Sequence, residues 1–172
     1  FSGIPVPANG VATLIYVTET NQFAPLGLTD SIVNTVVVSG TGITEITATE
    51  TVRPEFGARL TITKTLSPTI ITENGRLTYT FTIQNIGNMP ITLSDSVTIT
   101  DTFDPILSDI VVTFNGSTWT EPANYNYSET TGEFTTALGQ ITVPAATYTQ
   151  NPLTGAWVIE PGVSVLTVTG TI

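Results

Sequence analysis

The sequence predicts an all-β protein built as an antiparallel β-sandwich, and three observations carry that expectation. Of its 172 residues, 36 are threonine, 17 isoleucine and 16 valine, so about two-fifths of the chain is β-branched and suits a pleated surface better than a helix. Apolar and polar residues alternate with period two almost end to end, the pattern of half-buried strands. Turn pairs punctuate the alternation at Asn9-Gly10, Asn74-Gly75, Gly87-Asn88, Asn115-Gly116 and Pro161-Gly162, where the residue types suit tight turns.

The clearest strand is Leu77-Thr-Tyr79-Thr-Phe81-Thr-Ile83, apolar on one face and threonine on the other. The same pattern predicts strands at Val11–Thr20, Ile32–Ser39, Ile43–Val52, Leu60–Leu66, Val97–Phe103, Ile110–Phe114, Phe134–Val143 and Val163–Ile172. No stretch combines helical periodicity with capping residues. Many short strands separated by turns every 8–12 residues or so read as a sandwich.

Charge and composition exclude several functions. Four basic residues against fourteen acidic ones give a net charge of −10, which leaves no basic surface for nucleic acid. Histidine and cysteine are absent, which removes disulfides, thiol chemistry, the usual zinc sites and histidine-based triads. No apolar run reaches membrane-spanning length, so membrane insertion is not expected. The chain has no initiator Met and no basic-then-apolar start, so a mature or excised piece is expected. A threonine-rich, lysine-poor, acidic composition fits an extracellular, cell-surface protein.

The two ends resemble each other. Ile4-Pro-Val-Pro-Ala-Asn-Gly-Val-Ala-Thr-Leu-Ile-Tyr-Val17 and Val158-Ile-Glu-Pro-Gly-Val-Ser-Val-Leu-Thr-Val168 are each a short strand, a Pro/Gly turn and a second strand. The first copy continues into two further strands ending near Val52, whereas the second stops at Ile172. Residues 1–56 therefore read as the C-terminal strands of a preceding repeat, and 59–172 as a repeat lacking its last strands. Arg53-Pro-Glu-Phe-Gly-Ala58 is the junction. The alternative is that Pro/Gly β-arches look alike by chance.

Leu60-Thr-Ile-Thr-Lys-Thr-Leu-Ser-Pro68, Gly75-Arg-Leu-Thr-Tyr-Thr-Phe-Thr-Ile-Gln-Asn-Ile-Gly-Asn88 and Val97-Thr-Ile-Thr-Asp-Thr-Phe103 resemble the conserved repeat domain of prokaryotic surface proteins, catalogued as domain of unknown function 11. Asn34-Thr-Val-Val-Val38 resembles that domain's late Asn-Thr strand, so the likeness spans nearly the whole chain in permuted order. The resemblance implies an immunoglobulin-like fold, tandem extracellular arrays and no catalysis on a substrate.

Polar residues on three otherwise apolar faces form the candidate site. Lys64, the only lysine, shares a face with Leu60, Ile62 and Leu66; Asp101 shares one with Val97, Ile99 and Phe103; Asn34 shares one with Ile32, Val36 and Val38. Burying such groups is costly unless they meet. The combination resembles the isopeptide sites of Gram-positive pilins and collagen-adhesin domains, which implies Lys64 as nucleophile, Asp101 as general acid/base and Asn34 as electrophile. The plainer reading is a structural salt bridge, with Lys64 snorkelling to Asp101 at a sheet edge and Asn34 capping a bulge.

In the family's strand order, Lys64 would meet an Asn lying beyond Ile172. A circularly permuted domain, strand exchange between subunits and a fragment of a tandem array all remain open. Weaker signals are Asp95, Asp101, Asp104 and Asp109, which could hold calcium; Trp119, Tyr125, Tyr127, Tyr148 and Trp157, which could stack on a glycan; and two glycosylation sequons, at Asn115 and Asn126. The expectation is a self-associating structural protein, a head-to-tail filament subunit or a stalk repeat that needs no cofactor. The alternative is a surface adhesin binding glycan or calcium. A hydrolase using Asp101 and Glu133 ranks third.

Overall fold

A computed structural model describes residues 1–172. The chain runs through β1 (Ile32–Gly40), β2 (Ile43–Val52), β3 (Leu60–Ser67), β4 (Arg76–Asn85), a 3-10 turn at Leu93–Asp95, β5 (Thr100–Thr102), β6 (Ser108–Phe114), β7 (Ser117–Trp119), β8 (Tyr125–Tyr127), β9 (Glu133–Thr136), β10 (Thr147–Gln150), β11 (Trp157–Glu160) and β12 (Gly162–Thr171). Every strand pairing is antiparallel. The fold is all-β.

Five strands form the larger sheet in the order β3-β4-β12-β6-β7, and three form the smaller one in the order β5-β9-β8. Period-two alternation decides which side chains meet between them. Leu77, Tyr79, Phe81 and Ile83 of β4 pack with Leu166 and Val168 of β12, Val112 and Phe114 of β6, and Tyr125 and Phe134 of the smaller sheet. Ile99, Phe103, Leu107, Ile141 and Val143 close the same core from the connecting segments.

Threonines occupy the opposite face of the larger sheet in cross-strand rows. Thr78 pairs with Thr169 at 2.8 Å and Thr113 with Thr167 at 2.7 Å between hydroxyls, so the outer face gains hydrogen bonds while keeping β-branched packing. At Asn115-Gly116 both residues have positive φ, 48° and 80°. That geometry is the two-residue type I′ turn that joins β6 to β7.

The remaining strands form two separate hairpins, β1-β2 and β10-β11. No residue of 1–56 is buried, and every residue of β1 and β2 is exposed. An isolated two-stranded hairpin is marginal in water, so this one presents its apolar residues without a covering layer.

The junction is held by the Asn85-Ile-Gly-Asn88 turn. Asn85 is fully buried; its Oδ1 accepts from the Arg59 and Gly87 amides at 3.0 and 2.9 Å, and its Nδ2 donates to the Met89 and Pro144 carbonyls at 2.7 and 3.0 Å. Asn88 accepts from the Gly57 amide at 3.0 Å and donates to the Glu55 carbonyl at 2.9 Å. The Ile86 and Met89 amides bond the Arg59 and Gly57 carbonyls, so the linker prolongs the line of β3 instead of turning back along it. Gly87 permits this closeness, because a Cβ there would run into the Gly57 carbonyl oxygen and the Arg59 nitrogen.

The strands differ from expectation where partners are lacking. Val11–Thr20 alternates correctly but forms no strand, since nothing pairs with it and Val11, Ile15 and Val17 lie in solvent. Val97–Phe103 narrows to the three residues of β5, and Phe134–Val143 to β9 plus one bridge from Val143 to Ile91. The short strands β7, β8, β10 and β11 carry too few residues to show periodicity.

Asn85→Ala leaves two amides and two carbonyls at the junction without their partner. It should lower the unfolding free energy by about 2–4 kcal/mol, on the scale of buried hydrogen-bonding groups left unsatisfied. Urea unfolding followed by tryptophan fluorescence checks this, and a loss below about 1 kcal/mol would show that water replaces the amide.

Candidate functional site

The sandwich is open along one flank. Strand β3 ends the larger sheet and β5 ends the smaller one, and the inward residues of β3 are uncovered: Leu60, Ile62 and Leu66 are 38%, 53% and 39% exposed. Equivalent positions on the neighbouring β4 are buried. A strand with one free edge and a bare apolar face is a template for another strand.

Lys64 lies midway along this bare stripe. Its Nζ approaches Asp101 Oδ2 at 2.5 Å, with the two side chains 39% and 19% exposed. The ammonium sits 4.5 Å from the Tyr79 ring centroid and within 6 Å of those of Phe103 and Phe81, at 5.6 and 5.7 Å, favourable cation–π distances. Oδ2 is buried and has no hydrogen-bond partner, so the contact with Lys64 is a charge pair. At this exposure such a pair contributes under about 1 kcal/mol.

Burial, and then the negative charges of Asp101 and Asp104, push the Tyr79 hydroxyl above its ordinary value of 10.0. That hydroxyl donates to the Asp104 carbonyl at 3.3 Å. The structure thus brings Lys64 and Asp101 together, with Tyr79 reporting the local charge.

Asn34 is not with them. It stands on the β1-β2 hairpin and donates from Nδ2 to the Tyr16 hydroxyl at 2.6 Å. The hairpin register explains its surroundings: Ile32 faces Val52, Asn34 faces Glu50, Val36 faces Ala48 and Val38 faces Ile46. Seen from that side the hairpin is apolar except for one rung, Asn34 opposite Glu50. The other side carries Val33, Thr35 and Val37 against Thr51, Thr49 and Thr47. Glu50 was not singled out from the sequence; the Thr41-Gly42 turn, read as a hairpin centre, is the signal that would have paired it with Asn34.

The other candidates disperse. Asp95 is engaged by the Thr92 amide and hydroxyl, hydrogen bonds that hold its carboxyl below the usual range. No group of three or more carboxylates gathers where a metal ion could sit. Trp119 stacks on Phe114 and Tyr125 on Phe134, Tyr127 donates to the Leu107 carbonyl, and Tyr148 and Trp157 donate to the Ile86 and Phe23 carbonyls, so the five aromatics share no single face. Asp101 faces inward opposite buried Phe134, whereas alternation turns its neighbour Glu133 outward. Asn115 is occupied, with Oδ1 accepting from the Val165 amide and Nδ2 donating to Ser164. No helix is long and apolar enough to cross a membrane.

No protein-family model, curated protein or solved structure matches the chain.

Asp101→Asn removes one of the charges that disfavour the Tyr79 phenolate. Its titration should therefore move down toward the ordinary tyrosine range, read as the difference in phenolate absorbance between the two proteins. Because the hydroxyl is raised in the folded state, its stabilising contribution is present below the ordinary tyrosine value and is lost as pH rises through the raised one. In the variant that contribution should be smaller, and its loss should be complete at a lower pH. An unchanged titration would mean that solvent screens Asp101 from the ring.

Proposed function

We propose that the chain is a structural module of an extracellular, cell-surface filament or stalk, of immunoglobulin-like type, assembled by strand complementation. One observation carries this reading. The molecule has an open flank with a bare apolar stripe and a separate hairpin with a bare apolar face, and the two match in length and alternation. Leu60, Ile62, Lys64 and Leu66 on β3 correspond to Ile32, Asn34, Val36 and Val38 on β1 as stripes of one polar residue among three apolar ones.

The straight linker supports exchange between copies. Backbone bonds from residues 86–89 hold Gly57 and Arg59 in line with β3, directing β2 away from its own Lys64. A hairpin that cannot cover its own flank can cover that of the next copy. Such a contact joins different surfaces head to tail and does not close on itself, which is the geometry of a fibre. The resemblance to the surface-protein repeat supports the cell-surface setting. In the assembly Lys64 of one copy would lie beside Asn34 of the next, where an amide between them could replace the disulfides that the chain cannot make.

Two variants test the assembly. Val36→Asp spoils the hairpin face and leaves the flank intact, while Ile62→Asp does the reverse. The parent protein should form concentration-dependent multimers in sedimentation, and each variant alone should stay monomeric. Mixed in equal amounts, the two variants should form dimers and nothing longer, because each supplies one sound surface. A parent that remains monomeric at high concentration, or a variant that still polymerises alone, would overturn the reading.

A further inference from the structure

At the base of the β1-β2 hairpin the chain forms a partly open cavity of about 660 Å³. Ile32, Val52, Phe56 and Ile86 give it apolar walls, and Arg53 and Arg59 line it with them. Asn88 shapes it, because this one side chain holds the Gly57 amide and the Glu55 and Leu26 carbonyls around the same turn. The two arginines are two of only four basic residues in a chain with fourteen acidic ones. Neither has a carboxylate within ion-pair distance, since the Lys64–Asp101 contact is the only ion pair. Burial raises the Tyr148 hydroxyl above its ordinary value of 10.0, and the Arg59 charge acts against that rise, which places the guanidinium on the Tyr148 side of the cavity. An apolar hollow with free guanidiniums suits an apolar side chain closely followed by an acid.

The opposite end of the sandwich carries that combination. Between β3 and β4 the Thr72 carbonyl accepts from the Gly75 amide at 2.9 Å, and Asn74 has positive φ, 62°, so the turn is tight. Ile71 packs against the core, whereas Ile70 is 88% exposed, and the exposed Glu73 follows within the turn. An isoleucine held out by a fixed turn is an anchor without a pocket.

The linker decides which end of a neighbour the cavity meets. Strand β2 runs on into β3 along one line, and β1 is antiparallel to β2. In copies stacked head to tail along that line, the β1 of one therefore lies antiparallel to the β3 of the next. The base of the incoming hairpin then falls at the Ser67 end of the receiving β3, beside its β3-β4 turn.

Resting on the strand-exchange reading, we infer that the cavity is a socket for a second copy of this chain, taking Ile70 of the receiving copy between its apolar walls and setting Glu73 against Arg53 and Arg59. Arg76 opens β4 beside that turn, so Ile70 is the anchor and the acid adds selectivity. A hairpin laid along an edge strand leaves neighbouring copies free to swing about the linker. An anchored turn at the hairpin base removes that freedom and stiffens the joint.

The test uses full chains carrying Ile62→Asp, which keep a sound hairpin to donate, and chains carrying Val36→Asp, which keep a sound flank to receive it. In their dimer the socket belongs to the donor and the turn to the receiver, so each further substitution matters on one side only. Ile70→Ala in the receiver should weaken the dimer about 30-fold by sedimentation, the scale for withdrawing that much apolar surface. In the donor the same substitution should change nothing. Glu73→Arg in the receiver should weaken the dimer about 10-fold or more, and Arg53→Glu with Arg59→Glu in the donor should restore it. Ile70 is exposed, so an unchanged thermal melt should show that its replacement leaves the fold intact. Equal affinity with Ile70→Ala on either chain would overturn the socket and leave strand exchange standing; octanoate bound by the single chain in calorimetry would then mark the cavity as a site for a small apolar acid. No dimer from the pair without further substitution would overturn both.

Discussion

The junction depends on one buried side chain. Asn85 uses both lone-pair directions of its oxygen and both hydrogens of its amide, bonding the backbone of Arg59 in the linker, Gly87 and Met89 in the turn after β4, and Pro144. Through it the linker is tied to the turn after β4, the segment at Pro144 is drawn against the same point, and β3 is continued backward in a straight line. If that clamp were absent, Gly57 and Arg59 would be free to bend and the hairpin could lie down over its own flank. The course of the linker thus rests on the buried Asn85 together with Asn88 and the Ile86 and Met89 amides, and a bond lost at the buried side chain costs more than one lost on a surface.

A chain without cysteine and nearly without lysine has few ways to secure a small sandwich. Threonine rows stiffen the outer face of the larger sheet, and aromatic contacts such as Tyr79 on Phe103, 4.8 Å between centroids, fill the core. Neither device protects the flank. There the one lysine is placed on the inward side of an edge strand, over three rings and against an acid. An edge lysine that points outward discourages strand addition; one that points inward leaves the backbone edge free and places its ammonium beside whatever adds. In the proposed assembly the incoming hairpin is therefore admitted by the backbone edge and then met by the amine.

How far the sequence could be read follows from the range of each signal. The strands β3, β4, β6 and β12 were legible because a strand covered on one side writes its burial into alternation, and the Asn-Gly turns were legible because few other residues accept positive φ. Val11–Thr20 misled for the same reason, since alternation states which face wants covering and not whether a partner is present. The approach of Lys64 to Asp101 could be anticipated from two faces turned toward one core. Placing Asn34 beside them within one chain required knowing how the linker runs, and that is decided by Asn85 and Asn88, roughly thirty residues away. Glu50 is harder to read because its neighbourhood lies across the hairpin, where only the position of the Thr41-Gly42 turn sets the register that pairs it with Asn34.

Exposed apolar hairpins ordinarily invite indiscriminate pairing, and proteins suppress this with charge, proline or bulges at the edges. The β1-β2 hairpin carries no lysine and no proline; its only charged groups are Glu45 and Glu50. A net charge of −10 opposes close approach of two copies in general, so association needs a contact that repays this repulsion. In the proposed assembly the apolar stripes of the flank and the hairpin supply it, since Leu60, Ile62 and Leu66 and Ile32, Val36 and Val38 are all exposed in the single chain. Selectivity then comes from one polar residue within each stripe, Lys64 on β3 and Asn34 on β1. In the proposed assembly, a register slip by one residue would turn Asn34 and Glu50 outward and bring Thr35 and Thr49 in, and a slip by two would set Lys64 against Val36 or Ile32. Either error separates Asn34 from Lys64 while leaving the Lys64–Asp101 pair in place, so the polar rung favours one register among those in which the strands could join.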